Sequence, residues 1–139
     1  MKTLLKNGNV VTDSVKQSNI LIEDGVIKAI TTETSAADEV VDCTGKYIVP
    51  GLIDMHVHLR EPGQASKETI ETGVEAAIKG GVTTLCCMAN TSPVIDSSIL
   101  VQWVIGKSKA ANMAEVLPYA CVTKGMQGEE LTEMGDLLR

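Results

Sequence analysis

Two histidines are all that this chain contains, and they stand one residue apart, at His56 and His58, inside the run GLIDMHVHLREPG that spans Gly51 to Gly63. Asp54 lies two residues before them and Arg60 two residues after. On an extended strand, residues two apart project from the same face. Asp54, His56, His58 and Arg60 are therefore expected to form one polar row, with Ile53, Met55, Val57 and Leu59 facing the other way. Imidazole nitrogen is a good ligand for zinc and other first-row metals, and two imidazoles at this spacing reach one ion without backbone strain. A hydrogen-bonded pair of histidines is the structural alternative. The planar fork of Arg60 suits a substrate carboxylate, against a plain salt bridge to Glu61 or Asp54. Further along, Asn90 in MANTSPV either caps the turn before Pro93 or donates its amide to a substrate carbonyl or carboxylate.

These residues need elements to hold them. From residue 51 onward, strand and helix patterns alternate. LIDMHVHL reads as a strand. SKETIETGVEAAIKGG reads as a helix with Ile70, Val74, Ala77 and Ile78 on one face and Gly80 past its end. VTTLCCMAN is the next strand, and DSSILVQWVIGKSKAAN the next helix, with Asp96 as N-cap and Trp103 as a packing residue. EVLPYACV is a third strand, and GEELTEMGDLLR starts a third helix. Such an order predicts a parallel sheet covered by helices, doubly wound or a β/α barrel. Barrels carry their active sites at the carboxyl ends of the strands, which would bring His56, His58 and Asn90 to one mouth.

The first fifty residues differ. TLLKNGNVV, SNILIEDGVIKAI and EVVDCTGKYIVP read as short strands, with Asn7-Gly8 and Asp24-Gly25 as turns that use positive φ. So few strands are expected to need partners from elsewhere, as one part of a small β-sandwich domain. The fold class expected is thus α/β. Residues 51–139 would form the first three βα units of an incomplete (β/α)8 TIM barrel, preceded by the β-rich segment 1–50. A closed barrel takes about 250 residues, and the helical pattern is still running at Arg139. The sequence is therefore expected to be the N-terminal part of a longer protein.

Composition narrows the class. With 139 residues, 44% of them apolar, the chain can bury a core. A formal net charge of -6 and no basic run argue against a nucleic-acid surface. No apolar run approaches the roughly 18 residues needed to cross a bilayer, and MKTLLKNGNVVTD is too polar for a signal-peptide core, which makes a cytoplasmic location the expectation. Cys43, Cys86, Cys87 and Cys121 form no CxxC pair and read as buried free thiols. There is no GxGxxG, P-loop or GxSxG motif to support dinucleotide, phosphate or acyl-serine chemistry.

Taken together, GKYIVPGLIDMHVHLREPG, AAIKGGVTTLCCMANTSPV and the later VTKG resemble the N-terminal third of the bacterial dihydroorotases of the amidohydrolase superfamily. Asp-x-His-x-His alone marks the superfamily, which also holds hydantoinases, dihydropyrimidinases and allantoinases. HLREPG with MANTSP is narrower. The resemblance implies that His56 and His58 bind zinc, with one or two ions per full-length subunit. It implies that Arg60 and Asn90, beside the metal-bound His58, hold the α-carboxylate of N-carbamoyl-L-aspartate or dihydroorotate. The reaction implied is the reversible closure of the first to the second in pyrimidine biosynthesis, in a homo-oligomeric enzyme. Asp54 matches a family position but is expected to hydrogen-bond rather than ligate. The bridging ligand, the remaining histidines and the catalytic aspartate of the family would lie beyond Arg139, which leaves the catalytic residues unknown and the segment alone without activity. Two alternatives stand beside this reading: a non-catalytic, dihydroorotase-like scaffold for a partner enzyme, and a hydrolase of another cyclic amide, of hydantoinase or allantoinase type.

Overall fold

Apolar and β-branched residues at alternate positions make strands of the Met1–Pro50 unit. Residues 1–138 are described by the computed structural model. Here β1 (Lys2–Val11), β2 (Val15–Glu23), β3 (Val26–Thr31), β4 (Glu39–Asp42) and β5 (Tyr47–Ile48) form one sheet in the order β3-β2-β1-β4, with β5 also on β1. Asp24 (φ 51) and Gly25 (φ 77) make the expected tight turn between β2 and β3. Asn7-Gly8 does not make a turn. The chain runs straight through it as β1, and the register against β2 slips from Leu5↔Ile20 to Gly8↔Ser18, with Asn7 at φ 62. It is a β-bulge. The reason is tertiary: β1 pairs antiparallel with β2 and parallel with β4 and β5, and two ladders outweigh a local preference to turn.

The chain from Gly51 onward is a separate compact unit of α/β type. Strands β6 (Leu52–Val57), β7 (Val82–Cys87) and β8 (Glu115–Pro118) form a parallel 3-stranded sheet in the order β6-β7-β8. Helices α1 (Ile70–Lys79) and α2 (Ser98–Ala111) are the crossovers. Leu85 and Cys87 of β7, Val116 of β8, Ile70 and Val74 of α1 and Val104 of α2 meet in one buried cluster. Each strand stops short of its apolar pattern, at Val57, Cys87 and Pro118, and the residues left over become the loops at the mouth.

Five local expectations are corrected. α1 begins at Ile70 rather than near Ser66, because the Thr69–Thr72 capping box and the Glu61 carboxylate, which accepts from Ile70 N at 2.7 Å, satisfy its first amides there. Ile78, placed on the buried face of α1, is 38% exposed. α2 is capped by position at Ser97, not Asp96, whose carboxylate accepts from Gly125 N at 2.9 Å instead. Trp103 is no core residue. It is 38% exposed and carries the Lys107 ammonium 5.3 Å from its ring centroid. The third helix is reduced to a 3-10 turn at Lys124–Met126 and the short α3 (Met134–Leu137), because Gly125 and Gly128 at positive φ and a Thr123↔Leu131 bridge fold residues 123–131 into a loop. Its last residue, Arg139, lies outside the described residues. All four cysteines are free, with Cys43, Cys87 and Cys121 buried and Cys86 half-buried. Among the described residues no helix is long and apolar enough to cross a membrane.

Candidate functional site

The expected alternation of β6 is interrupted by two register shifts against β7, between Leu52 and Ile53 and again between Asp54 and Val57. Asp54 stands in register with Leu85 and Val57 with Cys87, so β6 spends three steps where β7 spends two. This bulge splits the two faces. Ile53 and Met55 are 63% and 68% exposed, whereas Leu59 is 2% exposed and Val57 packs on the core. The predicted four-residue polar row is therefore broken. The Asp54 carboxylate turns back to accept from His56 N at 2.9 Å. Arg60 has left the strand altogether, at φ 64.

The imidazoles come together at the bulge and just past it. The His56 and His58 rings are 5.3 Å apart between centroids and inclined at 65°. His58 Nδ1 lies 2.8 Å from Asn90 Oδ1. An amide oxygen only accepts, so in the neutral ring this contact puts the proton on Nδ1 and leaves the lone pair on Nε2. Among the described residues the Asn90 NH2 group has no acceptor, which leaves it as a donor for a ligand. His56, His58 and Asn90 share an open hollow of about 690 Å³ with Tyr119, Cys121 and Met126. Its walls are the carboxyl ends of β6, β7 and β8, where parallel sheets place ligands.

Two loops carry the edge of this hollow. HLREPG and MANTSPV lie backbone to backbone, with Ser92 N donating to Pro62 O at 3.0 Å. Gly63, at φ 90, faces the Ser92 carbonyl so closely that a Cβ would collide with it. Arg60 is not among the residues lining the hollow. Its two candidate salt-bridge partners are engaged elsewhere: Glu61 bonds Ile70 N and sits 3.8 Å from the Lys107 ammonium, and Asp54 bonds His56 N. Among the described residues Arg60 makes no ion pair.

The sulfur in the hollow is not a ready ligand. Burial, and then the negative charge of Asp96, push the Cys121 thiol above its ordinary range, which disfavours the thiolate that would bind metal or attack. No three His, Cys, Asp or Glu side chains among the described residues converge on one point, so the two imidazoles are the donors that this hollow offers. Tyr119 went unrecognised as a site residue because EVLPYACV reads as one strand. The signal was Pro118, which ends β8 immediately before it.

Residues 45–139 match the family described as dihydro-orotase-like. A dihydroorotase of a Thermoanaerobacter species is 49% identical over 140 residues, covering 99% of this chain and 32% of that protein. One from Halalkalibacterium halodurans is also 49% identical, covering 99% and 33%. The chain thus spans about a third of the length of the curated relatives it matches. Among solved structures, the L-hydantoinase (dihydropyrimidinase) of Arthrobacter aurescens superposes with a TM-score of 0.75 at 27% identity, over 87% of this chain and 28% of that one. The dihydropyrimidinase of Brevibacillus agri gives 0.68 at 32% identity, over 88% and 28%.

Proposed function

The chain belongs to the dihydroorotase-like family, and on that premise we propose that the whole protein is a zinc-dependent cyclic amidohydrolase interconverting N-carbamoyl-L-aspartate and dihydroorotate. The observation that carries the reading is the His58–Asn90 contact of 2.8 Å beside His56. It joins an imidazole, whose Nε2 is left to a ligand when the ring is neutral, to an amide that carries an NH2 donor, in one hollow at the strand ends.

In this reading His56 and His58 hold the metal, and their donor chemistry fits: both are neutral nitrogen ligands, and Asn90 fixes the tautomer of one. When bound, zinc supplies Lewis acidity toward the scissile amide carbonyl and lowers the pKa of water. Asn90 orients the His58 ring through Oδ1 and offers its NH2 group to the substrate carboxylate. Arg60, free of acidic partners among the described residues, supplies a bidentate fork to the same carboxylate once substrate draws it in. Two histidines are short of the three or four protein ligands of stable zinc sites, so we propose that the 139-residue chain alone is inactive. The same reading makes residues 51–139 part of a TIM barrel and residues 1–50 part of a small β-sandwich domain. It also makes the enzyme cytoplasmic, homo-oligomeric and part of pyrimidine biosynthesis.

A hydantoinase-type activity is the second reading, motivated by the named structural neighbours. The relatives at 49% identity favour dihydroorotase, and a hydantoin ring gives Arg60 and Asn90 no carboxylate to hold. A scaffold without activity has no use for paired imidazoles beside a tautomer-fixing amide. The test is turnover by the whole protein on dihydroorotate against hydantoin, with Arg60→Lys as control. Dihydroorotate should be preferred, and Arg60→Lys should lower kcat/KM by roughly 10- to 100-fold, the worth of a lost charge-assisted bond, with zinc content unchanged. Preference for hydantoin would favour the second reading, and loss of zinc in Arg60→Lys would make that arginine structural.

A further inference from the structure

Tyr119 is bonded in two directions. It follows directly on Pro118, the last residue of β8, and its backbone N donates to Cys87 O at the end of β7, at 2.9 Å. Its hydroxyl reaches past β7 to donate to Met55 O on β6, at 3.3 Å. One residue therefore ties the ends of all three strands together. The far end of that tie lands on the bulge. Met55 and His56 have no residue of β7 in register with them, whereas Asp54 is matched by Leu85 and Val57 by Cys87. The peptide that carries His56 is thus the part of β6 with least support from its neighbouring strand, and a side chain from outside the strand supplies a bond there.

We propose that Tyr119 is a positioning residue for the imidazole pair. Its hydroxyl pins the Met55 carbonyl, which holds the backbone of the bulge, which in turn sets where His56 stands relative to His58. A bulge re-aims a side chain only if its own conformation is single. Without the hydroxyl bond, the Met55–His56 peptide samples alternatives and the two rings lose their fixed separation. This inference rests on His56 and His58 acting as metal ligands, as proposed above.

Tyr119→Phe tests it, because the ring stays and the hydroxyl goes. Two measurements on the whole protein separate the possibilities. In the metal-free protein, hydrogen exchange over residues 52–58 should accelerate by roughly fivefold, the equivalent of one lost hydrogen bond, with exchange in α1 and α2 unchanged. Zinc affinity, read by competition with a chelator, should fall by about tenfold, as when a group that orients a metal ligand is removed. Unchanged exchange and unchanged affinity would overturn the proposal. So would a rise in KM alone, which would make Tyr119 a substrate contact, and so would faster exchange throughout the unit, which would make it general packing. Should the unaltered protein bind no zinc, the functional reading fails, and the exchange result still decides whether Tyr119 holds the bulge.

Discussion

β1 and β6 each carry an extra residue relative to the strand beside them, at Asn7 in the first and at Met55–His56 in the second. The two irregularities have opposite surroundings. At Asn7 the break is filled by Asn19, which is 5% exposed, accepts from Asn7 N at 2.8 Å and donates to Glu33 O at 3.0 Å. Every polar group of that amide side chain is used on its own backbone. At His56 the break opens onto a hollow, and among the described residues two groups around it keep unused capacity: the Nε2 edge of the His58 ring and the NH2 of Asn90. A bulge closed by internal hydrogen bonds is a joint. One that leaves donors and acceptors facing open space is a place for a ligand.

The largest effect that would break this contrast is at His56 and His58. Replacing both with Ala in the whole protein should abolish zinc binding and lower turnover by roughly a thousandfold, the several kcal/mol that a Lewis acid supplies. Metal analysis and a turnover assay check both, and unchanged zinc would make the second bulge as purely structural as the first. Next in size is Asn19→Ala, which strips the first bulge of its filler and leaves the Asn7 amide without its acceptor. A loss of about 2 kcal/mol in urea unfolding is expected, with zinc content and turnover preserved. A loss of activity at constant stability would mean that the first bulge also serves the site.

The smallest effect concerns the wall behind the second bulge. Cys87, in register with Val57, is 3% exposed, and burial pushes its thiol up to about 11 from 9.0. The unfolded chain releases this proton near 9.0 and the folded chain only near 11, so this group lowers stability as pH rises between those values. At pH 8 in the folded protein, iodoacetamide should spare Cys87 while the half-buried Cys86 reacts first, as mass spectrometry of the labelled peptides would show. Labelling of Cys87 at the rate of Cys86 would mean that the sheet behind the hollow opens.

Much of this was legible from residue types. The alternation of strand and helix patterns after Pro50 follows from hydrophobic period, which is local, and the structure has β6-α1-β7-α2-β8 in that order. The Asp24-Gly25 hairpin is equally local, since only two residues have to adopt positive φ. Asn7-Gly8 misled for the complementary reason: whether such a pair turns or bulges depends on what lies on either side of the strand, and β4 and β5 come from more than thirty residues later. Asp96 misled similarly, because the amide that claims its carboxylate belongs to Gly125, 29 residues on.

At the site, the sequence by itself determined the chemistry: two imidazoles one residue apart, an arginine two residues beyond, and an asparagine past the next strand. Those identities restrict what can be bound whatever the backbone does, because donor type belongs to the side chain. Tertiary structure alone decided the geometry. Period-two reasoning put Asp54, His56, His58 and Arg60 in one row. It failed at the bulge because the register of β6 is set against β7, some thirty residues away in the chain. The same long-range pairing brought Asn90 to His58 and Tyr119 to Met55, contacts 32 and 64 residues apart that no local pattern encodes.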